Sequence, residues 1–194
     1  HGPDFYWPMT EETLCTVGMD AAGDIRTVRA SVKKFADISR EMARVGEKRE
    51  AMARKAEREG HVVTARENYF TAAAFYTMAQ GPIHDDDDPA NLALSAKKNA
   101  CYGKFIEHST LRVEKIEIPF ENTSLPGYLH FPPDATGRVP CVVFLGGLDN
   151  FKEMLVASHG DKLLERGMAV LAFDGPGQNE ARISRKIHCT TDNF

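Results

Sequence analysis

The chain has 194 residues, enough for one domain or one and a half. A hydrophobic fraction of 42% supports a real core and, with 27% charged residues, excludes a wholly disordered chain. A net charge of −4 gives no global attraction to nucleic acid or an anionic membrane, and no apolar run approaches the roughly 18–20 residues that span a bilayer. The N-terminus, HGPDFYWPMT, lacks the basic-then-apolar layout of a signal peptide. Cys15, Cys101, Cys141 and Cys189 are scattered without CxxC spacing. They point away from a disulfide framework or a zinc site and toward reduced thiols in a cytoplasmic protein.

The first half has the grammar of helices. From Asp24, a candidate N-cap, apolar residues recur at Ile25, Val28, Val32, Phe35, Ile38 and Met42, one face of a helix that Gly46 is expected to interrupt. Residues 47–59 predict a charged helix with Met52 and Ala56 inward, ended by Gly60. A third helix over roughly 62–80 carries Ala65, Tyr69, Ala72, Ala73, Tyr76 and Ala79 and stops at Gly81-Pro82. The pair 47–80 has the length of one tetratricopeptide-type hairpin, but no second copy follows, so it reads as a single hairpin packed on something else. In HDDDDPA, residues 84–90, four adjacent Asp lack the spacing of a calcium loop. Asp88 as N-cap and Pro89 at the first helical position account for them, opening a helix over 90–107.

After Ser109 the period changes to two. Val113, Ile116, Ile118 and Phe120 set against charged neighbours predict a half-buried strand. ENTSLPGYLHFPP supplies a turn and an antiparallel partner, with Leu125, Gly127, Leu129 and Phe131 on one face and His130 on the other, exposed, face. VPCVVFLGG reads as a strand buried on both sides of a sheet, 151–166 as a helix, and MAVLAFDGPGQ as a second buried strand. This is a βαβ crossover whose two strands open on the same edge, where ligands bind in open α/β sheets.

Two glycine-bearing loops therefore share that edge, GGLDN (146–150) and DGPGQNE (174–180). Neither matches a phosphate-binding GxGxxG or GxxxxGK[ST] pattern. A structural role at strand ends is the plain alternative. The order hairpin, strand, glycine loop, helix, strand, glycine loop supports a third reading, the first strands of an α/β-hydrolase. There the loop after the third strand gives one backbone donor of an oxyanion hole. Gly146 and Gly147 would turn the main chain sharply and leave the Leu148 N–H bare for an oxygen with developing negative charge.

The helices of the first half, LPGYLHFPP, VVFLGGLDNFKE and AVLAFDGPGQNEA together resemble one α/β-hydrolase group over roughly 47–182. The group contains the 2,6-dihydropseudooxynicotine hydrolase of nicotine degradation, fungal polyketide-shortening pigment hydrolases and fermentation–respiration-switch-like esterases. Its second loop usually reads DGPGQGE, and this chain has Asn179 in place of the last Gly. The resemblance implies a helical cap segment over 1–108 and the first half of the hydrolase core over 109–194. It implies a Ser-His-Asp hydrolase of small-molecule carbonyl compounds, some members cleaving carbon–carbon bonds beside a ketone and others esters, without a cofactor. In the carbon–carbon enzymes an acid directly after Gly-Gly-Leu lies in the active site, which here is Asp149. Asp149 can equally be the N-cap of the helix that begins near Phe151.

No nucleophile elbow is present. None of Ser31, Ser39, Ser95, Ser109, Ser124, Ser158 and Ser184 has glycine two residues before and two after. By the group's layout, the triad and the rest of the sheet belong beyond Phe194. The first partner of this chain is then the remaining C-terminal half of the fold, and residues 1–194 alone are expected to be inactive, with an apolar sheet edge prone to aggregate. Homo-oligomerisation is compatible with the sequence. The contrasting reading is a non-catalytic helical interaction module joined to a degenerate α/β domain. Phe70, Phe75, Tyr69 and Tyr76 fit either an apolar pocket under the cap or the core of the hairpin.

Overall fold

The computed structural model describes residues 17–147 and 150–184. Backbone packing divides the chain into two compact units, with the division between His108 and Ser109. The described part of the first unit comprises helices α1 (Met19–Ser31), α2 (Asp37–Arg58), α3 (Val62–Gln80) and α4 (Pro89–Glu107). No helix among the described residues is long and apolar enough to cross a membrane.

The helix expected to run from Asp24 to Gly46 is two helices. Val32 is extended (φ −81°, ψ 122°) and ends α1. The Asp37 carboxylate then accepts from the Lys33 and Lys34 N–H groups, at 3.2 and 3.1 Å, and closes the turn into α2. Asp24 caps nothing; it lies inside α1, buried, and its carboxylate takes the Arg49 guanidinium at 2.5 Å, tying α1 to α2. Gly46 does not interrupt α2. A Cβ there would sit 2.8 Å from Tyr76 Cε1, so the missing side chain is the space the Tyr76 ring occupies where α2 and α3 meet. Met52 is exposed and Ala53 joins Ala56 on the inner face, because the helix runs unbroken from Asp37 and its phase is set there.

The remaining helical expectations hold. Gly60 closes the α2 end at φ +78°. Ala65, Tyr69, Ala72, Ala73, Tyr76 and Ala79 are all buried along α3. Asp88 Oδ1 accepts the Ala90 N–H at 2.7 Å and Pro89 opens α4. The aromatic residues take core positions: Tyr69, Phe75 and Tyr76 are buried, and the Phe70 ring packs 5.0 Å from that of Phe105. Small residues on α3 let the helices approach, and the buried phenols are satisfied by α2 carboxylates. Tyr76 donates to Glu50 and Tyr69 to Glu57, each at 2.6 Å. Glu57 also accepts from Lys104 Nζ, and His108 Nε2 lies 3.0 Å from the same carboxylate. These hydrogen bonds, from Tyr69 first, hold the Glu57 carboxyl down at about 2.

In the second unit, β1 (Val113–Phe120), β2 (Thr123–His130), β3 (Cys141–Leu145) and β4 (Ala169–Phe173) form a sheet in the order β1-β2-β4-β3. β1 and β2 pair antiparallel across the loop Glu121-Asn122, with Phe120 opposite Thr123. β2 pairs antiparallel with β4, and β4 parallel with β3 in the register Val142↔Val170 and Phe144↔Ala172. Between β3 and β4 the chain forms α5 (Lys152–Leu155), a π-helical turn over Val156–Gly160 and α6 (Asp161–Leu164), a helical path with one wide turn. Leu155, Val156 and Leu164 pack on Val170 and Ala172 as the core of this unit.

Two strand expectations change. His130 is buried, at 3% exposure, because β2 is an inner strand covered on both faces rather than one half of a free hairpin. β3, expected to be buried on both sides, alternates instead: Cys141, Val143 and Leu145 are exposed, the last two at 61% and 56%. Residues two apart share a face of a strand, so one face of β3 is uncovered among the described residues, and β3 is also the edge strand of the described sheet.

Burial pushes the His130 imidazole down to about 4 from its ordinary 6.5. The folded state therefore refuses a proton that the unfolded chain binds below pH 6.5, and this contribution is lost as pH falls from 6.5 toward 4. Glu57 acts in the next window: the unfolded carboxyl protonates near 4.5 while the folded one stays ionised to about 2. The urea midpoint should fall steadily from pH 6.5 to 2, with Glu57→Gln flattening the lower half of the curve and leaving the upper half in place.

Candidate functional site

β3 and β4 end side by side, and each runs into its glycine-bearing loop. At the end of β4, Asp174 is 1% exposed. Its Oδ1 accepts the Lys152 N–H at 3.0 Å, and its Oδ2 accepts Lys152 Nζ at 2.7 Å and the Glu180 N–H at 3.3 Å. One carboxylate thus holds the first turn of α5 and the far end of the second loop. The Lys152 ammonium, wholly buried, also meets Glu180 Oε2 at 2.6 Å and Glu153 Oε1 at 2.9 Å, and lies 5.5 Å from the Tyr128 ring centre. Burial alone would lower its pKa, but the Glu153, Asp174 and Glu180 carboxylates outweigh that and hold it well above its ordinary value. Burial, followed by the charge of Glu153, pushes the Tyr128 phenol upward.

Gly146 is crowded from within the protein. A Cβ on Gly146 would lie 2.4 Å from the Cβ of Asn150, so only glycine fits where the loop doubles back. Gly147 has nothing within 4 Å of the corresponding position. The Asn150 N–H donates to Gly147 O at 3.0 Å and closes the turn. From the second loop, Gln178 Nε2 donates to Gly146 O at 2.9 Å and to Gly147 O at 3.0 Å, while Gln178 Oε1 accepts the Gly175 N–H at 2.7 Å. Asn179 takes a left-handed φ of +35°, a conformation that suits glycine and that asparagine tolerates better than most residues.

Of the residues singled out from sequence, Gly146 and Gly147 sit at the shared edge, while Leu148 and Asp149 lie outside the described residues. The N-cap position of α5 is Phe151, in extended backbone. Asp174 receives the first N–H of the helix from across the edge. Sequence reasoning missed Lys152, Asp174, Gln178 and Glu180. Each lies inside a quoted motif, FKE or DGPGQNE, and the available signal was an acid ending a buried strand with a lysine opening the preceding helix. A concave patch lined by Pro132, Pro133, Val139, Leu164 and Gly167 lies at the opposite, amino end of the parallel strands, away from these loops.

Removing one partner from a buried ion cluster leaves uncompensated charge, so Lys152→Met should lower unfolding free energy by about 3–5 kcal/mol in urea titrations. The two glycines should respond unequally. Gly146→Ala drives a Cβ into Asn150 and should cost about 1–3 kcal/mol. Gly147→Ala meets open space and should stay within about 1 kcal/mol of the parent.

A family model described as "Esterase FrsA-like" matches residues 40–193. Among curated proteins, "Hydrolase phmG" of Phaeosphaeria nodorum is 30% identical over 197 residues, covering 90% of this chain and 43% of that protein. "20-hydroxy-prefusarin hydrolase FUS2" of Gibberella moniliformis is 32% identical over 151 residues, covering 75% of this chain and 36% of that protein. Among solved structures, that of "2,6-dihydroxy-pseudo-oxynicotine Hydrolase" is similar at a TM-score of 0.73 and 26% identity, over 93% of this chain and 50% of the other. The chain thus spans half or less of the length of these relatives. With its helical N-terminal segment followed by a mixed sheet, it belongs to the FrsA-like esterase family of α/β-hydrolases.

Proposed function

We propose that this chain supplies the helical cap segment and one oxyanion-hole donor, the Leu148 N–H, of a serine α/β-hydrolase acting on a carbonyl compound. The single observation that carries this reading is the fastened edge. The loop that contains position 148 leaves a parallel strand at its carboxyl end, where ligands bind in such sheets. Its flanks are tied down by Asn150, Gln178 and the Lys152–Asp174 pair. A donor that stabilises a developing oxyanion must be preorganised, since reorganising it during the reaction forfeits its advantage.

The Ser-His-Asp triad is assigned to sequence beyond Phe194. Two observations support this: no serine of the chain stands in a G-x-S-x-G elbow, and the relatives are about twice as long or longer. Ser158 falls in the π-helical turn rather than at a strand-to-helix corner. Asp149 is assigned to the active site as an acid next to the donor. A carboxylate there would repel the oxyanion, so Asp149 assists only as the protonated acid or hydrogen-bonded so as to orient a donor. The bond cleaved is a carbon–carbon bond beside a ketone or an ester. The relatives' names, which include a prefusarin and a pseudo-oxynicotine hydrolase, favour a substrate with a polyketide-like or aromatic body.

The test is turnover of 4-nitrophenyl acetate by the protein with its C-terminal remainder. Leu148→Pro deletes the N–H and should reduce kcat by about 10²–10³ with a smaller change in KM, circular dichroism confirming an intact fold. Residues 1–194 alone should give no turnover. An unchanged kcat in Leu148→Pro overturns the oxyanion assignment, and turnover by the short chain that survives purification overturns the placement of the triad.

A further inference from the structure

Contacts inside the helical unit fix the direction of its helices. At one level Glu57 of α2 holds Tyr69 of α3 and Lys104 of α4. About two turns back along α2, Glu50 holds Tyr76, and about one turn further Glu47 meets Lys97 Nζ at 2.7 Å. α3 therefore runs antiparallel to α2, and α4 runs parallel to it. One more step along this ladder reaches the start of α2, the end of α3 and the start of α4. The turn over 32–36 and the turn over 81–88 thus lie at the same end of one compact unit.

The two turns carry opposite charge. Lys33 and Lys34 are exposed, and their ammonium groups make no ion pair among the described residues. The acids that follow them on α2, Asp37 and Glu41, are taken up by Arg40 and Arg44. On the other turn Asp85 and Asp87 are exposed. That turn is held from within: Asp85 Oδ1 accepts the Asp87 N–H at 3.0 Å, and the buried Asn91 amide donates to Asp85 O at 3.3 Å. Apolar side chains accompany it, Ile83 half-buried and Leu92, on the first turn of α4, 38% exposed.

We propose that this end of the helical unit docks on the same end of a second copy of the chain, Lys33 and Lys34 of each copy facing Asp85 and Asp87 of the other around Leu92. A two-fold contact is self-complementary: what one residue meets on the partner must meet it in return. A cationic turn and an anionic turn on one end of one unit satisfy that condition, whereas a turn of either sign alone would repel its own copy. The net charge of −4 sets copies against each other everywhere else, so the unpaired lysines also fix which surfaces approach. Exposed ion pairs are individually weak and are screened by salt, and the symmetry only doubles their number. The dimer is therefore a weak one that salt dissolves, with Leu92 and Ile83 as its apolar centre. It is independent of the hydrolase reading given above.

The experiment is sedimentation velocity on the protein with its C-terminal remainder, at concentrations up to the order of 100 μM. The parent should dimerise in about 50 mM NaCl, with an association constant that falls about tenfold or more in about 500 mM NaCl. Lys33→Glu with Lys34→Glu makes the end wholly anionic, and Asp85→Lys with Asp87→Lys makes it wholly cationic. Each of these proteins alone should be monomeric, and an equimolar mixture of the two should form a heterodimer, because every contact across the two-fold is then again between opposite charges. The lysine substitutions leave the backbone N–H groups that bind Asp37 in place. Asp85→Lys gives up the bond to the Asp87 N–H, so Asp87→Lys alone replaces the pair if circular dichroism shows a loss of fold. A parent that stays monomeric in low salt overturns the proposal. So does a dimer that survives both salt and charge reversal, or a mixture of the two folded variants that remains monomeric.

Discussion

The arrangement of the sheet's carboxyl edge depends on one buried ion pair, Lys152 with Asp174. Both side chains are almost completely removed from water, and Asp174 takes both the ammonium and the backbone N–H of the same lysine. A buried ion pair is a poor source of net stability, because the desolvation of two charges consumes most of what their attraction returns. What it does supply is geometry. A carboxylate with three donors in fixed directions admits one placement of the helix start relative to the strand end, where apolar contacts would admit several. Two more carboxylates, Glu153 and Glu180, surround the same ammonium, and Glu180 carries the anchoring to the end of the second loop.

This constraint accounts for the demands on the neighbouring residues. With α5 fixed at Lys152, the five residues between Leu145 and Phe151 must turn back within a short span, and Asn150 is pressed onto Gly146. Glycine at 146 is a consequence of that closure. Glycine at 147 has no such neighbour, so packing does not explain it. The turn leaves the carbonyls of both glycines accessible on one side, and Gln178 takes both.

Local patterns in the sequence conveyed whatever local forces decide. Asp88-Pro89 capped its helix, Gly60 ended another, the alternation of Val113 to Phe120 made a strand, and the order of motifs matched the family. One departure is local, the break between α1 and α2 that the Asp37 carboxylate closes on the Lys33 and Lys34 N–H groups; the others come from tertiary neighbours. Gly46 is a breaker by propensity, but the ring of Tyr76, thirty positions on, occupies its missing side chain. Asp24 has the composition of a cap and is instead drawn inward by Arg49. His130 reads as exposed until β4 is placed beside β2, and β3 reads as central although its place in the described order is at the edge. Lys152 and Glu153 look like ordinary charges at a helix start, since nothing in the segment FKE itself shows that Asp174 and Glu180 will arrive from the second loop. Charge pairing over 22 residues is invisible to periodicity.

Asn179 shows how the same edge tolerates a change. The group's pattern places glycine there, and the left-handed backbone at φ +35° is the physical reason for that preference. Asparagine is among the few residues that enter this region at modest cost. The neighbours on either side, Gln178 and Glu180, carry the contacts to the first loop and to Lys152, and both depend on the chain reversing between them. A β-branched residue at 179 would resist that reversal and separate the two contacts, so the site constrains backbone conformation there more tightly than side-chain identity. The substitution of glycine by asparagine therefore preserves the clamp, because the conformation on which the clamp depends survives it.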